Sequence, residues 1–232
     1  MYKVNIKKAE ERIGIVFDNK DLLETALTHS SYANQFKNVE YNERLEFLGD
    51  AVLQLSITQY LYNHYKDKSE GELTRNRSLI VCENSLLEVS KKLGFGELIR
   101  LSKGEELTGG RERTSIQADS VEAVIAAIYL DKGIKVANDF ILDKFSEIIE
   151  KALNNMIVLD FKTKLQEILQ KNGEVEIEYE LVKFEGPPHR RKFYTNVLVD
   201  GNIKGQGEGY SKKEAEQNAA KNALIAINEY HE

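Results

Sequence analysis

The sequence predicts an all-α domain followed by a small α+β domain of order α-β-β-β-α. Three observations carry that prediction. From the start to about residue 152, apolar residues recur at the i, i+3, i+4 spacing of helices. From 161 onward the pattern changes to helix, then alternation of period two, then helix again. Between them Asn154-Asn155-Met156 breaks the helical run with weak formers. The domains are therefore placed at 1–153 and 161–230, joined by a short linker at 154–160. At 232 residues, with 41% hydrophobic and 30% charged, the chain can build two modest cores in water.

In chain order, Asp21-Leu22-Leu23-Glu24-Thr25-Ala26-Leu27 reads as a capped helical start. The central helix follows at Asn42-Glu43-Arg44-Leu45-Glu46-Phe47-Leu48-Gly49-Asp50-Ala51-Val52-Leu53. Glu43, Glu46 and Asp50, spaced three and four apart, stack on one face. A second stripe of Leu45, Leu48, Val52 and Leu55 must face a core. Ala51 to Tyr65 carries no charge, so this helix is expected to run through the middle of its domain. Acids in a first turn are favoured by the macrodipole, and Asn42 can serve as N-cap. That reading covers Glu43 and Glu46 but not Asp50, two turns in. Asp50 also adjoins Gly49, a residue that costs about 1 kcal/mol inside a helix and marks close approach by something else.

Helices are expected from Asn84 to Leu93 and from Ala137 to Leu153, with glycine-rich loops at Phe95-Gly96 and Gly104 to Arg113. Asp119 and Glu122, one turn apart, open a further helix whose other positions (Val121, Val124, Ile125, Ile128) are apolar. Two such helices packed side by side would bring the acids into an all-oxygen cluster of the kind Mg²⁺ or Mn²⁺ prefers; a buried arginine is the alternative partner. Paired ions about 3.5–4 Å apart are a recurrent device for phosphodiester hydrolysis. Arg111 and Arg113 either touch a substrate phosphate or pair with acids, and the second is the ordinary behaviour of surface arginines.

In the C-terminal third, Phe161 to Lys171 is a helix ended by Asn172-Gly173. Val175, Ile177, Tyr179 and Leu181 alternate with acids, and after Gly186-Pro187-Pro188-His189 the alternation resumes with Phe193, Thr195, Val197 and Val199. Asp200-Gly201 signals a hairpin into a third strand, Asn202 to Gly207. Ser211-Lys212-Lys213-Glu214 reads as a capping box opening a last helix with Ala215, Ala219, Ala220, Ala223, Leu224 and Ile227 inward. Lys212 and Lys213 oppose the macrodipole at a helix start. A phosphate would gain from both and from the free N–H groups beneath them; two solvated lysines are the plain alternative.

The net charge is −6, with −4 on residues 1–156 and −2 on 157–232, yet Lys183 to Lys213 carries +4. Positive charge is thus concentrated where it can meet phosphates. The N-terminus lacks an apolar h-region, and no window approaches the roughly 18 apolar residues of a membrane span, so a cytoplasmic protein with no membrane partner is expected. A single cysteine, Cys82, precludes an internal disulfide and reads as a small buried hydrophobe. Four scattered histidines argue against a zinc or histidine-based site.

The stretch at 42–53 resembles the signature of the ribonuclease III family. Leu27-Thr28-His29-Ser30-Ser31-Tyr32-Ala33-Asn34, Ser69-Glu70-Gly71-Glu72-Leu73, Gly109-Gly110-Arg111-Glu112-Arg113 and Ala118-Asp119-Ser120-Val121-Glu122-Ala123 resemble further blocks in the family's order. The Gly-Pro-Pro-His loop and the Lys-Lys-Glu-Ala-Glu-Gln helix start resemble a double-stranded RNA-binding domain. The resemblance implies an all-α endonuclease domain with that binding domain behind it. It also implies hydrolysis of double-stranded RNA to staggered 5′-phosphate and 3′-hydroxyl ends, in processing of ribosomal RNA precursors, transfer RNA and structured messenger RNA. Mg²⁺ would be the cofactor, with Mn²⁺ able to substitute, and no small-molecule cofactor is implied.

Carried over residue by residue, Glu46, Asp119 and Glu122 would hold the metal, and Asp50 would position or deprotonate the attacking water, with Glu122 counted among the catalytic acids. Glu43 and Glu70 would be accessory acids, a salt bridge being the alternative for each. The family is dimeric through its signature helix; Phe47 serves equally well as that homodimer contact or as a core phenylalanine. Thr163, Gln166 and Glu167 would meet one minor groove of the duplex, His189 the next unless it is an ordinary loop histidine, and Lys212 and Lys213 the phosphates between. Two rivals remain: a regulator that binds duplex RNA without cutting it, and a hydrolase of small phosphates.

Overall fold

The computed structural model describes residues 4–36, 38–154, 160–171, 174–187 and 191–227. It divides into two compact units, 1–157 and 158–232. Of the expected linker, 155–159 lie outside the described residues, as do Asn172-Gly173 and His189.

The first unit is helical: α1 (Ile6–Ile13), α2 (Lys20–Ala26), α3 (Ser30–Ala33), α4 (Glu43–His64), α5 (Glu70–Ile80), α6 (Glu83–Leu93), α7 (Lys103–Leu107), α8 (Thr114–Lys144) and α9 (Ser146–Leu153). Its centre is the packing of α4 on α8. Leu53, Ile57 and Leu61 from α4 meet Val121, Val124, Ile125 and Ile128 from α8 in a core shut off from water. The stripe expected along α4 is rotated. Leu45 and Val52 are buried, but Leu48 is only half-buried and Leu55 is 58% exposed. Gly49 and Ser56 lie on the buried face instead. The reason is the close approach of α8: a methyl group built on Gly49 would overlap the backbone carbonyl of Glu122. A small residue is required there, and bulky leucines are displaced to the flanks.

Other local expectations are also adjusted. Asn42 stands at the N-cap position of α4, but its backbone is already helical (φ −71°, ψ −21°) and its side chain makes no capping bond. The 104–113 stretch is not simply loop, because Ser102 caps the short helix α7 by accepting the Glu105 N–H at 3.1 Å. The helix expected from Ala137 to Leu153 is divided at the buried Phe145, and α8 itself is interrupted at Gly133 (φ 83°, ψ 172°). Cys82 is half-buried at the N-cap of α6, its S–H directed to the Leu79 carbonyl at 3.2 Å, rather than a core hydrophobe. Arg100, 7% exposed, is satisfied by Glu24, the Thr28 hydroxyl and the face of Tyr32. Its carbonyl accepts the His29 N–H at 3.1 Å, and the Thr28 carbonyl accepts that of Asn42 at 2.9 Å. The Thr28-His29 segment is thereby fastened to the start of α4.

The second unit has the expected order: α10 (Phe161–Gln170), β1 (Ile177–Glu185), β2 (Lys192–Val199), β3 (Asn202–Gly209) and α11 (Lys212–Ala226). The strands form an antiparallel sheet, β1-β2-β3, with β1 bulged between Leu181 and Lys183. Asp200 (φ 48°) and Gly201 (φ 73°) both occupy the left-handed region, as a two-residue type I′ hairpin demands. Leu165, Val197, Ala219, Ala220, Ala223 and Leu224 make the core. The cap of α11 is only half the expected box. The Ser211 hydroxyl accepts the Glu214 N–H at 3.1 Å, while the Glu214 carboxylate takes the N–H of Tyr210, one residue earlier, at 2.7 Å.

Candidate active site and RNA interface

Because Gly49 lets the two backbones touch, the first turns of α4 and the early turns of α8 present their acids to one another. Carboxylate oxygens of Glu46, Asp119 and Glu122 all lie within 4.8 Å of one another. Among the described residues no cation pairs with any of the three. The nearby arginines are engaged elsewhere, Arg111 with Glu106 at 2.5 Å and Arg113 with Glu105 at 2.6 Å. That is the pairing expected of them.

Uncompensated acids show in their proton affinities. Burial, followed by the fields of Asp50, Glu46 and Asp119, raises the Glu122 carboxyl to about 8. Burial and then the charge of Glu83 raise Asp119 to about 6. Glu46 moves up as well, by burial and by the fields of Asp119, Glu43 and Asp50. Three hard oxygen donors, half-buried, mutually repelling and lacking a counter-ion, suit a divalent cation such as Mg²⁺ or Mn²⁺; an arginine is not their partner.

Asp50 borders the cluster and is steadied by the Gln54 side-chain amide at 3.1 Å. Glu43 is exposed on the first turn of α4, with its charge felt at Glu46, Asp119 and His29. Glu70 is placed differently. It opens α5, accepts the Thr74 hydroxyl at 2.8 Å, and lines a pocket of about 230 Å³ with Thr58, Leu61, Tyr62, Leu73 and Arg77. At 1.5 Å per residue, that part of α4 is roughly 18 Å or more beyond Glu46. Within one chain Glu70 does not join the cluster.

Phe47 is 82% exposed and so is not a core residue. With exposed Ala51, Leu55 (58%) and Tyr62 (72%) it forms an apolar stripe on the side of α4 opposite the core. Glu83 and His29 were not legible as neighbours of the acids. An acid in a helix first turn reads as a dipole partner, and a loop histidine carries no spacing signal.

In the second unit, Thr163 and Gln166 of α10 and Lys213 of α11 line one surface cleft, with Lys162, Tyr179 and Gln217. Thr163 also donates its hydroxyl to Asp160 at 2.8 Å. Glu167 and Lys212 are exposed on the same two helices. Neither Lys212 nor Lys213 pairs with a carboxylate among the described residues. At the far end of the sheet, Arg191 stacks on Phe184 (4.5 Å) and Lys183 on Tyr194 (4.7 Å), a cationic and aromatic rim that sequence reading did not single out. Among the described residues no helix is long and apolar enough to cross a membrane.

Residues 19–149 match the ribonuclease-III-like family and residues 161–227 the double-stranded RNA binding motif. Proteins named Ribonuclease 3 align along the whole chain. That of Clostridium beijerinckii is 68% identical over 232 residues, covering 100% of both chains, and that of Clostridium botulinum strain Eklund 17B is 70% identical over 231, covering 100% of this chain and 99% of the other. Among solved structures, the nuclease domain of ribonuclease III from Campylobacter jejuni superposes with a TM-score of 0.58 at 40% identity, covering 62% of this chain and 97% of that one. With both family models matched and proteins named Ribonuclease 3 aligned from end to end, the chain belongs to the ribonuclease III family and is an endoribonuclease specific for double-stranded RNA.

Proposed function

We propose that Glu46, Asp119 and Glu122 hold Mg²⁺, for which Mn²⁺ can substitute, and that this cluster cuts one strand of duplex RNA. The observation that carries the reading is the convergence of three uncompensated carboxylates within 4.8 Å. A divalent ion held there would supply positive charge to the phosphodiester and lower the pKa of a coordinated water. Asp50, beside the cluster and held by Gln54, would orient the attacking water and accept its proton. The water oxygen bonds to phosphorus, the bond to the 3′-oxygen breaks, and that oxygen takes up a proton, leaving 5′-phosphate and 3′-hydroxyl ends. No small organic cofactor enters this scheme.

Cutting both strands requires two clusters, and an isologous homodimer supplies them. The Campylobacter nuclease domain has a region involved in dimer formation. In this chain the apolar stripe headed by Phe47 suits that role, with Phe47 of one protomer entering the pocket beside Tyr62 and Leu73 of its partner. Such an exchange would also carry Glu70 toward the opposite cluster, consistent with an accessory part for Glu70 alongside Glu43. In the binding module, Thr163, Gln166 and Glu167 address a minor groove, and Lys212 and Lys213 the phosphates; His189 is assigned the next groove by resemblance alone. The enzyme acts in the cytoplasm on ribosomal RNA precursors, transfer RNA and structured messenger RNA.

The test is cleavage of long end-labelled duplex RNA with Mg²⁺ or Ca²⁺, beside Glu122→Gln. Staggered short duplexes with Mg²⁺ alone, and a variant that binds without cutting, support the reading. A variant that cuts normally would refute it.

A further inference from the structure

A second group of titratable side chains converges beside the carboxylate cluster. His29 is the N-cap of α3, and its Nδ1 accepts the Ser31 N–H at 3.2 Å and lies 2.9 Å from the Ser31 hydroxyl. That hydroxyl oxygen accepts the Ser102 N–H at 3.2 Å, so its proton is free to point at Nδ1. With Nδ1 an acceptor, the proton of the neutral ring sits on Nε2. From Ser102 the chain of contacts continues: its hydroxyl takes the Glu105 N–H at 3.1 Å, and Glu105 binds Arg113 at 2.6 Å. Arg113 stands immediately before α8 with its side chain 47% exposed. The charges of Glu105, Glu43 and Arg113 all act on the imidazole, and Glu43 acts in turn on Glu46 and Asp119. Four segments remote in sequence therefore meet beside the carboxylate cluster.

The cap alone does not call for a histidine. Asparagine, aspartate or serine would accept the Ser31 N–H as well. What histidine adds is the second nitrogen, a single N–H donor. Burial lowers its proton affinity against the raising fields of Glu105 and Glu43, which favours the neutral ring. A backbone phosphate brought to the carboxylate cluster meets the charges of Glu43, Glu46, Glu83 and Asp119. Donors beside the cluster offset that repulsion.

We propose that His29 is a substrate-binding residue, its Nε2–H and the Glu105-tethered guanidinium of Arg113 together gripping a backbone phosphate next to the scissile bond. The assignment rests on the metal-cluster reading of Glu46, Asp119 and Glu122. Two replacements separate it from a purely structural role. His29→Asn keeps an acceptor for the Ser31 N–H and removes the distal donor. His29→Gln weakens the cap and keeps a distal N–H.

In single-turnover cleavage of duplex RNA by the full-length protein with Mg²⁺, His29→Asn is expected to lose about ten- to a hundredfold in rate, the value of one hydrogen bond to a charged group. Its melting temperature should stay near wild type, and His29→Gln should cut faster than His29→Asn while melting lower. The reverse order, with His29→Asn cutting like wild type and His29→Gln impaired in step with its melting temperature, would show a cap and nothing more. Glu122→Gln, run alongside, tells the two readings apart. If it cuts normally the metal-cluster assignment fails, whereas if it is inactive and His29→Asn is not, only the His29 proposal fails.

Discussion

Replacing Gly49 by alanine sets two physical effects against each other. On helix propensity alone the change should stabilise α4 by about 1 kcal/mol. The packing says the opposite, because the new Cβ would overlap the Glu122 carbonyl oxygen and carbon and come within 3.0 Å of its Cα. Backbone cannot rotate away as a side chain can, so relief requires α4 and α8 to part by at least about 1 Å, an overpacking cost of roughly 1–3 kcal/mol. For a domain of this size that is a fall in melting temperature of several degrees, at about 2–4 °C per kcal/mol. The effect on chemistry is larger. Ligand distances in a metal site tolerate only about 0.2 Å, and a displacement of about 1 Å can cost a hundredfold in rate. Gly49→Ala should therefore melt lower, lack the rise in melting temperature expected of the wild type on adding Mg²⁺, and cut duplex RNA at least about a hundredfold more slowly, while binding it normally through the C-terminal module. A variant that melts higher and cuts at the wild-type rate would refute the claim that this contact sets the cluster.

Other consequences follow from the same geometry. In the ion-free folded protein Glu122 keeps its proton up to about 8 and Asp119 up to about 6, whereas unfolded they titrate near 4.5 and 3.8. The folded state binds more protons between those values, so these groups stabilise it at low pH and that contribution is lost as pH rises toward about 8. Melting curves in EDTA should show this decline, and Mg²⁺ should reverse it most at the alkaline end; a flat profile would contradict the proton affinities assigned to the cluster. Phe47→Asp should weaken the proposed homodimer by roughly a thousandfold in Kd, taking about 2 kcal/mol per buried anchor and two anchors per dimer, and sedimentation that still shows dimer would remove Phe47 from the interface. Lys212→Ala with Lys213→Ala should reduce the slope of log affinity against log salt by about two, and an unchanged slope would leave both lysines simply solvated.

Both fold classes and both groups of acids could be read from the sequence because each depends on local chemistry. A 3.6-residue period stacks Glu43, Glu46 and Asp50 whatever surrounds them, a period of two writes β2 as Phe193, Thr195, Val197 and Val199, and Asp200-Gly201 specifies its turn through backbone dihedrals alone. Tertiary structure decided how each helix is turned about its own axis. Leu55 belongs to the expected core stripe and Phe47 suits a core or a contact equally, yet the tight seat of Gly49 on α8 rotates both into solvent. It also decided which distant segments share a field. Glu83, His29 and Glu105 join the neighbourhood of Asp119 and Glu43 only because α6, α7 and the segment before α3 pack around α4 and α8, whereas Glu70 is held apart within its own chain. Periodicity determines the face a residue shares with its near neighbours; what that face meets is set by backbone approach and the packing of remote elements, which no local pattern encodes.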